Sequence, residues 1–368
     1  MILKEHEKNG RFSGKPGEMV SEFDYIVDHT SDLWEKLRGK RIFITGGTGF
    51  FGKWILGSFV RANERFGLKA EVHILSRNPD AFKQREPFLA SLGSIYFHSG
   101  RMVDFKFPEE KFHYIIHAAS ESEAVPNGLN PVPMLDSNIM GTRRVLEFAR
   151  ISGVKEFLYT SSGAVYGDRY DSRMDHVHEA YHGAPDPVSP GSAYGMGKRI
   201  SEFLCRAYAD QYDIHPKIAR CFAFVGPYLP MTANYAIGNF IHDALKGNCI
   251  RINGDGTPCR SYLYAADLAV WLWTILLNGK VCYPYNVGSE KTISIGALAK
   301  EVAAIVNPGL EIKIAGKRIS GNPIEYYVPS TKRAQQELNL EEGYSLHDMI
   351  QHTANWYDSF LRNKRQRT

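Results

Sequence analysis

With 368 residues, 43% of them hydrophobic and 23% charged, the chain has the make-up of a folded globular protein with room for two lobes, which excludes global disorder. A net charge of +4 is too mild to point to nucleic acid, and the one dense basic run, the C-terminal RNKRQRT, reads as a solvated tail. The five cysteines are odd in number and contain no C-x-x-C pair, so they indicate neither a disulfide framework nor a zinc site and fit a reducing cytosol.

Residues 1–39 are mostly polar, lack the apolar segment of a secretory signal, and read as an extension either wrapped on the domain or partly disordered. From residue 40 onward, short apolar runs alternate with helical patterns, which predicts an α/β fold with a doubly wound parallel sheet. RIFIT (41–45), EVHILS (71–76), YIIHAA (114–119), EFLYTS (156–161) and KIARCFAFV (217–225) are the expected strands. Their nearly continuous apolar character is that of strands covered on both faces. Helices are expected over 50–66, 134–151 and 192–212, the last with an apolar stripe from Ile200 to Tyr212 suited to a core or a dimer contact. The run LAVWLWTILL spans ten residues, about half of what crosses a bilayer, and reads as a core helix, so no membrane insertion is expected. Beyond it, helices over 295–306 and 345–361 and short strands predict a smaller lobe that completes a cleft.

Three patterns carry chemistry. ITGGTGFFGKW (44–54) ends the first strand and opens a helix, setting Gly46, Gly49 and Gly52 at three-residue intervals. Such glycines tighten the turn and let backbone approach a pyrophosphate at a helix N-terminus, which predicts a bound dinucleotide. The second strand ends in Leu75, Ser76, Arg77 and Asn78 with no acid to hold a ribose diol. A guanidinium there welcomes a 2′-phosphate, so Arg77 favours NADP over NAD. In SAYGMGKRISE, Tyr194 and Lys198 lie four apart on one helix face, and the ammonium is expected to lower the phenol toward neutral pH. Ser162, at the end of the EFLYTS strand, would hold a substrate hydroxyl while Tyr194 takes its proton.

Together with HAAS, NIMGT, YTSSGAVYG, GDGTPCRSYLYAADLA and YNVGS, these segments make the chain resemble an extended short-chain dehydrogenase/reductase of the nucleotide-sugar epimerase/dehydratase family from about residue 40 onward. The resemblance implies a Rossmann domain over 40–227, also taking 261–290, and a nucleotide-sugar lobe over 228–260 and 291–368. It implies Ser162, Tyr194 and Lys198 as catalytic residues. It places Thr48, Phe50, Phe51, His117, Ala118, Ala119, Asn138 and Thr160 along the dinucleotide beside the three glycines, and Ser161, Ser162, Arg260 and Tyr262 at the substrate, Arg260 meeting its pyrophosphate. A homodimer through the helices at 134–151 and 192–212 is also implied, as is a nucleotide-diphosphate sugar as the small-molecule partner.

Departures from the family narrow the chemistry. Members that eliminate water from the sugar carry an Asp-Glu pair directly after the strand-end hydroxyl, whereas Gly163 and Ala164 stand here and can neither protonate nor deprotonate. Glu121 and Glu123, just beyond the YIIHAA strand, are the carboxylates that could replace them, Glu123 as catalyst and Glu121 at the substrate. Ala223 and Arg101 replace an asparagine and an acid of the family pattern, and His176, His178 and His182 read as loop histidines rather than metal ligands. The expected activity is oxidation and re-reduction at C4 of the sugar, most simply a 4-epimerase. Alternatives are a 4,6-dehydratase with relocated acids, an NADPH-dependent 4-keto-sugar reductase, and a non-catalytic dinucleotide-binding regulator.

Overall fold

The computed structural model describes residues 16–90, 92–120, 130–167, 174–231, 233, 235–319, 321 and 323–365. Seven strands form one sheet: β1 (Arg41–Thr45), β2 (Glu71–Ser76), β3 (Ile95–Ser99), β4 (Tyr114–His117), β5 (Glu156–Ser162), β6 (His215–Cys221) and β7 (Pro284–Val287). Every pairing is parallel, in the order β7-β6-β5-β4-β1-β2-β3. The order reverses between β1 and β4, and the crevice at the carboxyl ends there is where open α/β sheets take ligands.

Side chains alternate across the sheet. Ile42, Ile44, Ile74, Ile116 and Leu158 join one buried cluster, while Phe43, Ile115, Phe157 and Tyr159 join another on the opposite face. The first cluster is covered by α1 (Pro16–His29), α2 (Phe50–Phe66) and α6 (Ala265–Asn278), with α3 (Pro131–Ser152) and α4 (Ala193–Tyr212) over the second. The smaller lobe packs α5 (Ala236–Lys246), α7 (Ile295–Val306) and α8 (Leu346–Arg365) together. Short strand pairs accompany them: 250–252 with 312–314, and 259–260 between 293–294 and 326–327.

The expected helices at 50–66 and 295–306 appear with those bounds, and the core helix around LAVWLWTILL is α6. β3 and β7 add strands beyond the five expected runs. KIARCFAFV divides into β6 and a two-residue strand, Phe224–Val225, that leaves the main sheet to pair with Leu263–Tyr264.

Residues 16–37, polar on a first reading, are built into the core. Met19, Phe23, Ile26 and Val27 recur at helical spacing and are buried, as are Trp34 and Leu37. Phe23 meets Trp54 edge-on at 5.8 Å, and Trp34 meets Trp273 at 5.0 Å. Gly57 of α2 leaves the room Phe23 needs, since a Cβ there would come within 2.1 Å of its ring. Each such burial contributes about 1.5–3 kcal/mol. No described helix is long and apolar enough to cross a membrane.

Candidate active site

The crevice is floored by the glycine turn. Gly46 has φ +75°, and a Cβ on it would lie 2.6 Å from Ala118 C and Ala119 N; one on Gly52 would lie 2.4 Å from Gly46 O. The turn therefore sits flush against the exit of β4, held by the Ala118 amide on Thr45 O (3.1 Å) and the Ala119 amide on Thr45 Oγ1 (3.2 Å). Gly49 caps α2 with no side-chain hydrogen bond, and the first helical turn carries no acid. The amide groups at the start of α2 are left to an external acceptor, a geometry that takes a phosphate anion. Thr48, Phe50 and Phe51 border it half-buried, the two rings 5.8 Å apart.

His117 lies beneath this floor with both nitrogens engaged, Nδ1 with Thr45 Oγ1 at 2.7 Å and Nε2 with Thr142 Oγ1 at 3.1 Å. Burial and the Lys198 charge push its pKa down to about 3, so it is a neutral strut. Asn138 is buried and donates to Met134 O while its amide oxygen accepts from Ser120. Arg77 is exposed directly after β2, and Arg101 is paired with Asp104.

The end of β5 distributes its hydroxyls by strand alternation. Thr160 Oγ1 donates to His117 O at 3.2 Å, and the Thr160 carbonyl accepts from Lys198 Nζ at 2.8 Å. Ser161, expected at the substrate, turns to the other face and donates to Glu202 Oε1 at 2.5 Å, within an ion pair to Arg220. Ser162 is only 6% exposed; its Oγ accepts from the Ala164 amide at 3.2 Å and stands beside the phenols of Tyr194 and Tyr327, where it favours their ionised forms.

Tyr194 and Lys198 share a face of α4, with the Lys198 ammonium 5.8 Å from the Tyr194 ring centre. The expected lowering of the phenol by the ammonium is not the balance the protein strikes by itself. Burial pushes the Tyr194 phenol up, the neighbouring Tyr327 adds to this, and the Ser162 hydrogen bond only partly opposes it. Lys198 donates a hydrogen bond to the Thr160 carbonyl and is brought down to about 8 by its own burial.

Tyr327, which no local pattern in the sequence singled out, completes the cluster. It comes from the two-residue strand Tyr326–Tyr327, in register with Cys259 and Arg260. Its ring packs 4.8 Å from Phe222, and burial pushes its phenol up to about 12. A Cβ on Gly163 would stand 2.7 Å from the Phe222 ring and 2.8 Å from the Tyr327 hydroxyl, so the place of a side chain at 163 is already filled. Arg260 faces the Tyr327 ring at 5.8 Å and pairs with Glu325 at 2.5 Å. Tyr262 is buried and lines a cavity of about 150 Å³ with Ile293, Leu346 and Met349. Glu121 and Glu123 lie outside the described residues. Of the loop histidines, His176 bonds the Glu290 carbonyl through Nε2 at 2.9 Å.

Comparison with known proteins places the chain in a family and shows that solved structures share its fold. Residues 42–288 match the model of the NAD dependent epimerase/dehydratase family. UDP-glucuronic acid decarboxylase 6 of Arabidopsis thaliana is 28% identical over 318 residues, 85% of each chain. An epimerase from Methanothermobacter thermautotrophicus superposes with a TM-score of 0.77 at 22% identity, over 94% of this chain and 98% of the other. A UDP-glucuronic acid 4-epimerase from Bacillus cereus, solved in complex with NAD, does so at 0.72 and 20% identity, over 89% and 100%.

Proposed function

The chain belongs to the NAD dependent epimerase/dehydratase family, and from that premise we propose that it oxidises and re-reduces C4 of a nucleotide-diphosphate sugar, most simply as a 4-epimerase. The observation that carries this reading is the grouping of Ser162, Tyr194 and Lys198 at the end of β5 with no carboxylate at 163 or 164 and the space over Gly163 closed by Phe222 and Tyr327. Elimination of water needs an acid and a base at C6 and C5; epimerisation needs neither.

The cradle formed by Gly46, Gly49 and Gly52 with the start of α2 suits the pyrophosphate of NAD or NADP, Arg77 offering a guanidinium to a 2′-phosphate. Thr48, Phe50, Phe51, Ala118, Ala119 and Asn138 border the same crevice. Such a dinucleotide supplies a reversible hydride acceptor. Ser162 orients the C4 hydroxyl. Tyr194, held protonated by burial, returns a proton to a C4 oxygen in the reduction step; in the oxidation step it takes the C4 hydroxyl proton only after giving its own proton to solvent, an ionisation that positive charge beside it favours. Lys198 carries that charge below pH about 8. Arg260, beside the cluster, reaches a substrate pyrophosphate once it releases Glu325.

A second reading is decarboxylation of a nucleotide-linked uronic acid, favoured by the decarboxylases at 28% identity. A ketone at C4 makes the C5 carboxylate a β-keto acid, which loses carbon dioxide without a protein base; in this reading the Tyr327 phenol, beside Ser162, would be the donor that reprotonates C5. Two copies associating through α3 and α4 belong to the proposal as well, because Met140, Ile151, Phe203 and Tyr212 are 45–70% exposed there. A cytoplasmic enzyme fits this account.

Proton NMR in D₂O with UDP-, dTDP-, CDP- and GDP-sugars, including UDP-glucuronic acid, separates the readings. A 4-epimer without solvent deuterium is the expected outcome. A pentose carrying deuterium at C5 would instead support decarboxylation, a 6-deoxy-4-keto product elimination, and stoichiometric consumption of NADPH a reductase.

A further inference from the structure

Across the sheet from the crevice, β2 and β3 bring together a second set of chemistry-bearing side chains. His73 and His98 project from the same face of neighbouring strands, and Glu110, in the loop leading to β4, reaches them. His73 Nδ1 stands 2.9 Å from His98 Nε2. One ligating atom from each of His73, His98 and Glu110 lies within 4.8 Å of the other two. His73 is 4% exposed, walled by Tyr96 (4.8 Å) and Phe112 (4.9 Å), while His98 is half-buried and Glu110 is exposed.

Packing alone serves one nitrogen of this imidazole and not the other: Nδ1 shares a hydrogen bond with His98 Nε2. His73 Nε2 is buried and makes no hydrogen bond among the described residues; the Glu71 carboxylate stands 3.7 Å away, itself paired with Arg41. That arrangement is what a metal ligand requires: one nitrogen toward the ion, the other carrying its proton toward an outer carboxylate that fixes the tautomer.

We propose that His73 Nδ1, His98 Nε2 and the Glu110 carboxylate form a binding site for a divalent transition ion of the zinc class, with Glu71 as the outer partner of His73 and water in the fourth position. Two imidazoles and one carboxylate select such an ion over magnesium or calcium, which prefer all-oxygen shells. Two nitrogens on a tetrahedral ion at about 2.0–2.1 Å stand about 3.3 Å apart, so the pair opens by a few tenths of an ångström, a movement the exposed Glu110 side and half-buried His98 allow. The ion would clip the edge strand β3 and the 107–113 loop to β2, leaving the end of β5 untouched.

The test uses untagged full-length protein, stripped with chelator and titrated with ZnCl₂ and, separately, CoCl₂ at pH 7.5. One equivalent of zinc bound with a rise in melting temperature, and a visible absorption band typical of four-coordinate cobalt, are expected. His98→Ala should lose one equivalent. Glu110→Gln, at an exposed position that leaves the fold intact, should weaken binding at least tenfold while sugar turnover stays as in the parent. Absence of binding at 0.1 mM zinc, or an undiminished stoichiometry and affinity in both variants, would overturn the proposal.

Discussion

Two clusters of buried phenols sit in this molecule, and their difference separates chemistry from architecture. At the end of β5, Tyr194 and Tyr327 converge on a single serine hydroxyl with no carboxylate among the groups acting most strongly on either. In the seam that fastens α1 to the body, phenols are matched to acids. Glu22 accepts from Tyr264 and Tyr344 at 2.9 Å and from His352 at 2.8 Å, while Asp267 accepts from Tyr25 at 2.7 Å and from the Gly343 amide at 3.1 Å. Burial raises the phenols in both places. The seam's donors are used up within the fold, whereas the cluster on β5 keeps capacity for a ligand's oxygen. Saturated polar networks hold a fold together; incompletely matched ones mark where it meets substrate.

The contrast is broken most forcefully at Tyr194. Tyr194→Phe should lower turnover by about 10²–10⁴-fold with the melting temperature within a few degrees of the parent and dinucleotide still bound. Steady-state rates and a thermal melt check both halves, and unchanged turnover would remove Tyr194 as the proton-transfer group. The reverse pattern belongs to the seam: Glu22→Ala strands two phenols and a histidine and should cost about 3–5 kcal/mol of stability while turnover per folded molecule is unaffected. Denaturant titration beside active-site counting tests this, and a loss of turnover without a loss of stability would mean the seam reaches the site.

The seam should also loosen as pH rises. Burial lifts Asp267 from 3.8 to about 6, so the folded state holds its proton more tightly. Stability from this group is complete below about pH 4 and is lost as pH climbs toward 6, by at most about 3 kcal/mol. His352, raised chiefly by its hydrogen bond to Glu22, adds stability below its unfolded pKa of 6.5 that disappears as pH passes its folded value. Hydrogen exchange over residues 16–29 should therefore quicken, relative to the chemical exchange rate, between pH 5 and 8, and Asp267→Asn should flatten the acidic part of that trend. The smallest effect is expected from Tyr327→Phe, which removes one hydroxyl contact and should slow turnover about tenfold, with the loss in kcat rather than in stability. An effect as large as that of Tyr194→Phe would make Tyr327 an equal partner in proton transfer.

Much of the sheet is legible because its strands are apolar runs buried on both faces, and α2 and α7 because caps and periodicity bound them. β3 escapes a sequence reading, for IYFHS mixes polar and apolar residues at an edge, and β7 opens on a proline. α1 carried a readable signal, Met19, Phe23, Ile26 and Val27 on one face, obscured by the charges between them. At the site, Ser162, Tyr194 and Lys198 were legible from spacing. Tyr327 was not, because a two-residue strand about 165 residues further on brings it to Ser162. The direction of the Tyr194 shift was hidden for a related reason: spacing reveals a neighbouring ammonium but not the desolvation that outweighs it.

Whether hydride leaves and returns at C4 without elimination can be read from nucleotide-diphosphate hexoses deuterated at C4. The purified protein should form an epimer that keeps the label at C4. Migration of the label to C6 in a 6-deoxy-4-keto product would contradict it, because the enzyme would then possess the acid and base that Gly163 and Ala164 cannot provide.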